Sequence, residues 1–181
     1  MRKLILSIAL IAILATGTVF ADYPGGLGIG LQGGGGGAWE GGGGFAAHRG
    51  AALSLKLPDM PIFWTIDARF NEWYTFIGVA GDTYFIHAPL VDNILHWYIG
   101  WGLGVGLGFW NSDWAGDSSL LFDVFARLPI GLSLQLPLNA GPLNVLEFFL
   151  QVVPTLGVHV SPNFSFPAGG WGGNLGFRLW F

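Results

Sequence analysis

Cysteine is absent from the 181 residues, which excludes structural disulfides and thiol catalysis together. Charge is scarce as well: Asp, Glu, Lys and Arg make up 10% of the chain, where soluble domains carry about a quarter. Seven basic residues face eleven acidic ones, for a net charge of −4. No basic stripe occurs, so the chain lacks an electrostatic footprint for nucleic acid. A third absence narrows the choice further. Beyond residue 21 no run reaches the roughly 18 consecutive apolar residues that a transmembrane helix needs, although 52% of the chain is hydrophobic. Thirty-one glycines, fifteen Phe, nine Trp and four Tyr break up every apolar stretch. The chain has to be hydrophobic without helices.

At the start, Arg2 and Lys3 precede an apolar and small stretch that ends in Val19-Phe20-Ala21. A charged beginning, a short apolar middle and small residues before Asp22 are what a signal peptidase reads. Residues 1–21 are therefore expected to be a signal peptide, cleaved after Ala21. Residues 4–21 retained as a membrane anchor would be the other reading, since about 18 residues is the lower limit for a spanning helix. Without cysteine, a lipoprotein is excluded. Loss of Arg2 and Lys3 would leave residues 22–181 more acidic still, as one domain of ordinary size.

The clearest pattern runs from Leu95 to Phe109. Leu95, Trp97, Ile99, Trp101, Leu103, Val105, Leu107 and Phe109 alternate with His96, Tyr98, Gly100, Gly102, Gly104, Gly106 and Gly108. A period of two gives a strand with one continuous apolar face and one small or polar face. Comparable segments, separated by Gly, Pro, Asn and Asp clusters, cover about residues 26–34, 45–57, 61–70, 75–87, 95–109, 119–135, 143–155 and 171–181. Many match the 9 to 11 residues of a tilted transmembrane strand, and an even number brings both ends to one side.

The charges decide between architectures. The apolar faces are taken as Leu53, Leu55, Leu57; Ile62, Trp64, Ile66, Ala68, Phe70; Ile77, Val79, Phe85; Leu120, Phe122, Val124, Ala126, Leu128; and Leu146, Phe148, Leu150, Val152. In the final segment they are Leu175, Phe177, Leu179 and Phe181. Lys56, Asp67, Arg69, Asp82, Asp123, Arg127, Glu147 and Arg178 then all fall on the opposite face. Arg49 and His87 fall on the nominally apolar face, near segment ends. Four positive and four negative residues facing inward predict a lumen ion-pair network, with Asp67 set against Arg69 and Asp123 against Arg127. A soluble barrel would carry its charges outside, and apolar faces this continuous belong against lipid. Lipid cannot satisfy an open sheet edge, so the sheet must close. The expected fold is all-β: a closed antiparallel up-and-down transmembrane barrel of eight strands. Trp73, Tyr74, Trp97, Trp110 and Trp171, near segment ends, suit interfacial girdles as well as ordinary packing.

Leu175, Phe177, Leu179 and Phe181 alternate up to an aromatic carboxy-terminal residue, which resembles the terminal signal by which assembly machinery recognises outer-membrane barrels. With the signal peptide and eight segments, the chain resembles the small eight-stranded outer-membrane barrel families. The resemblance is architectural and spans nearly all of residues 22–181. It implies an outer-membrane location, periplasmic chain ends, a lipid bilayer and the barrel assembly machinery as partners, and a monomer. Residues 58–61 would then be a periplasmic turn, and residues 35–44, 71–74, 110–117 and 156–170 outer loops. The first loop overlaps glycine runs that read as flexible low-complexity sequence. Trp39, Trp110 and Trp114 in these loops would dip into headgroups or serve as binding anchors.

Chemical motifs are sparse. Gly26, Gly28 and Gly30 form a fragment of a nucleotide loop, but no helix and no Gly-Lys-Ser/Thr ending follow. His48, His87, His96 and His159 lack metal-ligand spacing, so neither a metal nor another cofactor is expected. His159-Val160-Ser161 matches the His-x-Ser pair of some outer-membrane lipid A deacylases, but no Asp or Glu follows Ser161 to orient the histidine. No catalytic residue is assigned. Two functions remain: a structural or surface-interaction barrel with a largely closed interior, and a narrow pore or carrier of a small hydrophobic molecule. The second is motivated by the glycines at 100 to 108. They leave a void unless Phe63, Tyr98, Phe125, Phe149 and Trp180 occupy it.

Overall fold

The computed structural model describes residues 23–40, 46–70, 74–92, 94–110, 120–161 and 164–181. It contains strands β1 (Gly28–Glu40), β2 (Ala46–Lys56), β3 (Phe63–Phe70), β4 (Tyr74–Val91), β5 (Leu95–Trp110), β6 (Leu120–Arg127), β7 (Ile130–Ala140), β8 (Leu143–Ser161) and β9 (Ser165–Trp180). All pairings are antiparallel. Each of β1 to β5 pairs with its sequence neighbour, β8 pairs with β9, and β9 returns to β1, so the sheet closes on itself.

Nine strands make eight staves. β6 and β7 both pair with β5 on one side and β8 on the other, and are one stave interrupted at Leu128-Pro129. Proline has no N–H to give the ladder. The break is bridged by Leu128 N–H donating to the Pro154 carbonyl at 3.0 Å and Gly100 N–H donating to the Pro129 carbonyl at 2.9 Å. The segment at 119–135 is thus a single stave in two pieces, and the closed eight-stave barrel is as the alternation predicts.

The staves are longer than periodicity alone suggests. β1 runs through Gly33 to Gly37, bonded to β2 on one side and β9 on the other, so this glycine run is sheet. β8 and β9 likewise extend through most of residues 156–170. Both stretches were expected to be loops. Glycine and proline are poor strand formers in isolation, but a ladder on both sides supplies partners that local propensity does not.

The start of β1, the end of β9 and the turns at Asp59, Asp92 and Gly141 share one mouth of the barrel. These three residues take φ of 59°, 39° and 62°, the left-handed region that tight turns use. Leu27 and Phe181 exchange both backbone hydrogen bonds, extending the β1–β9 seam to the end of the chain. Leu175, Phe177 and Phe181 project outward, Leu175 with 63% of its surface exposed. Outward residues elsewhere include Leu31, Ile77, Leu103, Val105, Leu132 and Leu150. Trp171 is exposed and Trp97 half-exposed. Trp73 and Trp114, and the side chains of Trp39, Tyr74 and Trp110, lie outside the described residues, as do residues 1–22.

Candidate functional site: the barrel lumen

Alternation turns one side chain in two into the lumen, which sets Glu147 on β8 directly opposite Arg178 on β9. Arg178 is 2% exposed and Glu147 fully buried. One guanidinium nitrogen of Arg178 donates to both Glu147 oxygens at 3.1 Å, and its Nε donates to Ser54 Oγ at 2.8 Å. Ser133 Oγ at 2.7 Å and Trp180 Nε1 at 2.9 Å also donate to Glu147. The guanidinium lies over the Phe149 ring at 4.1 Å. Four staves, β2, β7, β8 and β9, therefore meet in this one cluster.

Asp82 and Arg127 form the second pair, at 2.9 Å and nearly sealed from solvent. They belong to β4 and β6, which flank β5 without touching each other. Arg127 reaches Asp82 because Gly102 of β5 lies between them in register. A Cβ at Gly102 would collide with the Asp82 carboxylate. This replaces the expected pairing of Asp123 with Arg127: four residues apart on a strand is about 13 Å, too far for contact. Asp123 instead meets its cross-strand partner His159 on β8. Asp67 and Arg69 are paired at 2.5 Å. Lys56, half-buried at the end of β2, donates to the Leu57 carbonyl.

Toward the mouth where β1 starts and β9 ends, Phe63, Tyr84, Tyr98 and Trp180 form a buried cluster, entered by Tyr23 from the chain before β1. The Tyr23 ring stacks on His87 with centroids 3.8 Å apart, and His87 stacks on His96 at 4.4 Å. His87 was expected on the outer face. A bulge between Tyr84 and Ile86 reverses the phase of β4 and turns it inward. Sequence spacing hid this pair because the β4–β5 hairpin, not local spacing, brings positions 87 and 96 together. Among the described residues no three potential metal ligands cluster.

Above these layers Tyr98 Oη donates to Gln151, whose amide donates to Gln32. Phe76, Ala80 and Phe125 then fill the lumen. The places that side chains at Gly100, Gly104, Gly106 and Gly108 would take are held by Tyr84, Phe125, Phe76 and Leu121. Of these only Phe125 was among the expected fillers. The other three come from β4 and β6, next to β5.

Toward the opposite mouth lies a cavity of about 240 Å³. One wall is β1 and β9 backbone, including Gly34, Gly37, Gly170 and Gly172; the other carries Asp67, Arg69, Asp123 and His159. Asp123 supplies His159 with the carboxylate that sequence order after Ser161 denies it. The Ser161 side chain lies outside the described residues.

No protein-family model matches the chain, and no curated protein matches its sequence. Among solved structures it is similar to Neisserial surface protein A, with 9% identity and a TM-score of 0.58 over 88% of this chain and 100% of that one. It is also similar to Ail, the attachment invasion locus protein of Yersinia pestis, with 16% identity and a TM-score of 0.47 over 87% and 99%. The N-terminal β-barrel domain of Pseudomonas aeruginosa OprF gives 13% identity and a TM-score of 0.45 over 85% and 97%. The likeness is one of fold, and the fold is the up-and-down barrel of the small eight-stranded outer-membrane proteins.

Proposed function

We propose that this chain is an integral outer-membrane barrel with a structural or surface-interaction role, its lumen ion-paired and closed to bulk solute. The observation that carries this reading is the inverted distribution of side chains. Glu147, Arg178, Asp82 and Arg127 are buried inside, while Leu31, Leu103, Leu150 and Leu175 stand exposed outside. Water would reverse that arrangement, and a bilayer requires it. The fold shared with Neisserial surface protein A supports the same reading. In this proposal residues 1–21 are removed after Ala21, Leu175, Phe177, Leu179 and Phe181 present the strand read by the assembly machinery, and the barrel is a monomer. It is not an enzyme, and no cofactor takes part.

Conductance tests the closed lumen. The refolded 22–181 chain, shown to be folded by heat-modifiable gel migration, is expected to give a silent planar bilayer. Reproducible discrete steps would instead establish the narrow pore, with the inward charges as its selectivity elements. Embedding has its own test at Leu103, 59% exposed near the middle of β5. Leu103→Arg should lower stability in liposomes by about 2–4 kcal/mol, the cost of an arginine at the bilayer midplane. An unchanged urea midpoint would place this face in water.

A further inference from the structure

Arg49 and His87 both fall on the apolar face by spacing, and the bulge in β4 turns only His87 inward. Arg49 stays outside. It is exposed, between exposed Ala47 and Ala51 and beside Phe70 of β3. Among the described side chains it is the one charged group on the outer wall of the staves, and it forms no ion pair with any of them. Its height follows from the stave. Seven residues up from Lys56 on β2, at about 2.5 Å of axial rise each for a strand tilted by about 40°, Arg49 stands about 17 Å up an apolar band about 25 Å tall. That is the outer leaflet, with the headgroups within reach of a long side chain. From Arg49 the register continues to Gly35 of β1, Gly173 of β9 and Val152 of β8. The two staves beside the arginine therefore carry no side chain in this row, and form a shelf between Phe70 and Val152, which are both exposed. A Cβ at Gly173 meets only the Gly35 carbonyl, at 3.8 Å, so a side chain there would cover the shelf without disturbing the wall.

We propose that this shelf holds a phosphate-bearing lipid of the outer leaflet, its phosphate taken by the Arg49 guanidinium and an acyl chain laid along Gly35 and Gly173. The inference rests on the lipid-facing reading of the outer wall. A guanidinium in this zone needs an anion, and its planar fork fits two phosphate oxygens. The described neighbours supply none, being Ala47, Ala51, Gly33, Gly35 and Phe70. A second copy docked about a two-fold axis on this face would bury two unpaired Arg49 side chains in one interface. A lipid phosphate brings the missing charge.

The test uses the 22–181 chain refolded in dodecyl maltoside micelles, which carry no phosphate, with dioctanoyl phosphatidylglycerol as probe and native mass spectrometry as readout. One saturable lipid per barrel is expected, with dioctanoylglycerol, which lacks the phosphate, binding at least about tenfold more weakly. Arg49→Gln should weaken phosphatidylglycerol by about the same factor, and Gly173→Leu should weaken it by covering the shelf while leaving Arg49 in place. Both variants should keep the heat-modifiable band; should one of them not fold, the other decides. Inorganic phosphate at the concentration of the lipid should not displace it. Undiminished binding to Arg49→Gln or to Gly173→Leu, equal binding of dioctanoylglycerol, or displacement by inorganic phosphate would overturn the proposal. So would a dimer abolished by Gly173→Leu, which would give the face to a second copy. Failure of the lipid-facing reading shows separately, as an unchanged urea midpoint for Leu103→Arg.

Discussion

Glu147→Ala should destabilise the barrel by about 3–5 kcal/mol, the cost of leaving a buried charge without its partner. Arg178 would lose its carboxylate while remaining enclosed by Phe149 and Phe63, and the Ser133 hydroxyl and Trp180 indole N–H would lose their acceptor. Water cannot readily replace it in a layer this dry. The measurement is a reversible urea titration in micelles or liposomes, followed by tryptophan fluorescence. A graded series separates charge from packing. Glu147→Gln keeps one acceptor oxygen for the Trp180 indole N–H and can donate its amide N–H to the Ser133 hydroxyl, but it lacks the negative charge, and it should fall between the parent and Glu147→Ala. The double variant Glu147→Leu, Arg178→Met should recover much of the loss, because a well-packed apolar pair of similar size often equals a buried ion pair. A midpoint unmoved by Glu147→Ala would mean the cluster is wetter than the geometry implies.

The second large effect lies at the seam. Gly30 on β1 faces Arg178 on β9, and a Cβ there would collide with the Phe177 carbonyl. Gly30→Val should prevent β1 and β9 from meeting over this stretch. The expected outcome exceeds a shift in stability: the refolded chain should lose its fast-migrating, heat-modifiable band, since an open edge in lipid leaves backbone groups unsatisfied. Gly33→Val is the matched control. A Cβ at Gly33 comes no nearer than 3.7 Å to any atom, so this variant should fold. Equal behaviour of the two would remove the steric argument.

The barrel was legible in the sequence because a two-residue period and a one-sided distribution of charge both survive without knowledge of register. Of the inward charge contacts, Asp67 with Arg69 was legible, two residues apart on one strand; the others were not, because they depend on pairing. Glu147 and Arg178 are 31 residues apart, and Arg127 finds Asp82 only because Gly102 leaves a gap between their staves. The inward turn of His87 required the bulge after Tyr84, and a one-residue irregularity leaves almost no trace in hydropathy. The ends of the staves failed for the opposite reason. Gly33 to Gly37 look like linker by composition, yet the smallness of Gly34 and Gly36 is what allows β1 and β9 to approach. A useful sign lay in the sequence all the same: where inward glycines run unbroken on one stave, as at 100 to 108, the large inward residues belong to the staves beside it, here Phe76, Tyr84 and Phe125.

The seam also sets an order of events in time. β1 completes its pairing only against β9, joining Gly28 to Trp180 across almost the whole described chain, and the same last strand brings Arg178 and Trp180 to the carboxylate at the centre. Contacts so distant along the chain form late, because the loop they close is long. Until then Glu147 lacks its counter-ion and two strand edges lie bare, which is the state most prone to pair with other molecules. Such a chain has to be held apart from its neighbours until its last strand arrives, and closure then removes both hazards in one step.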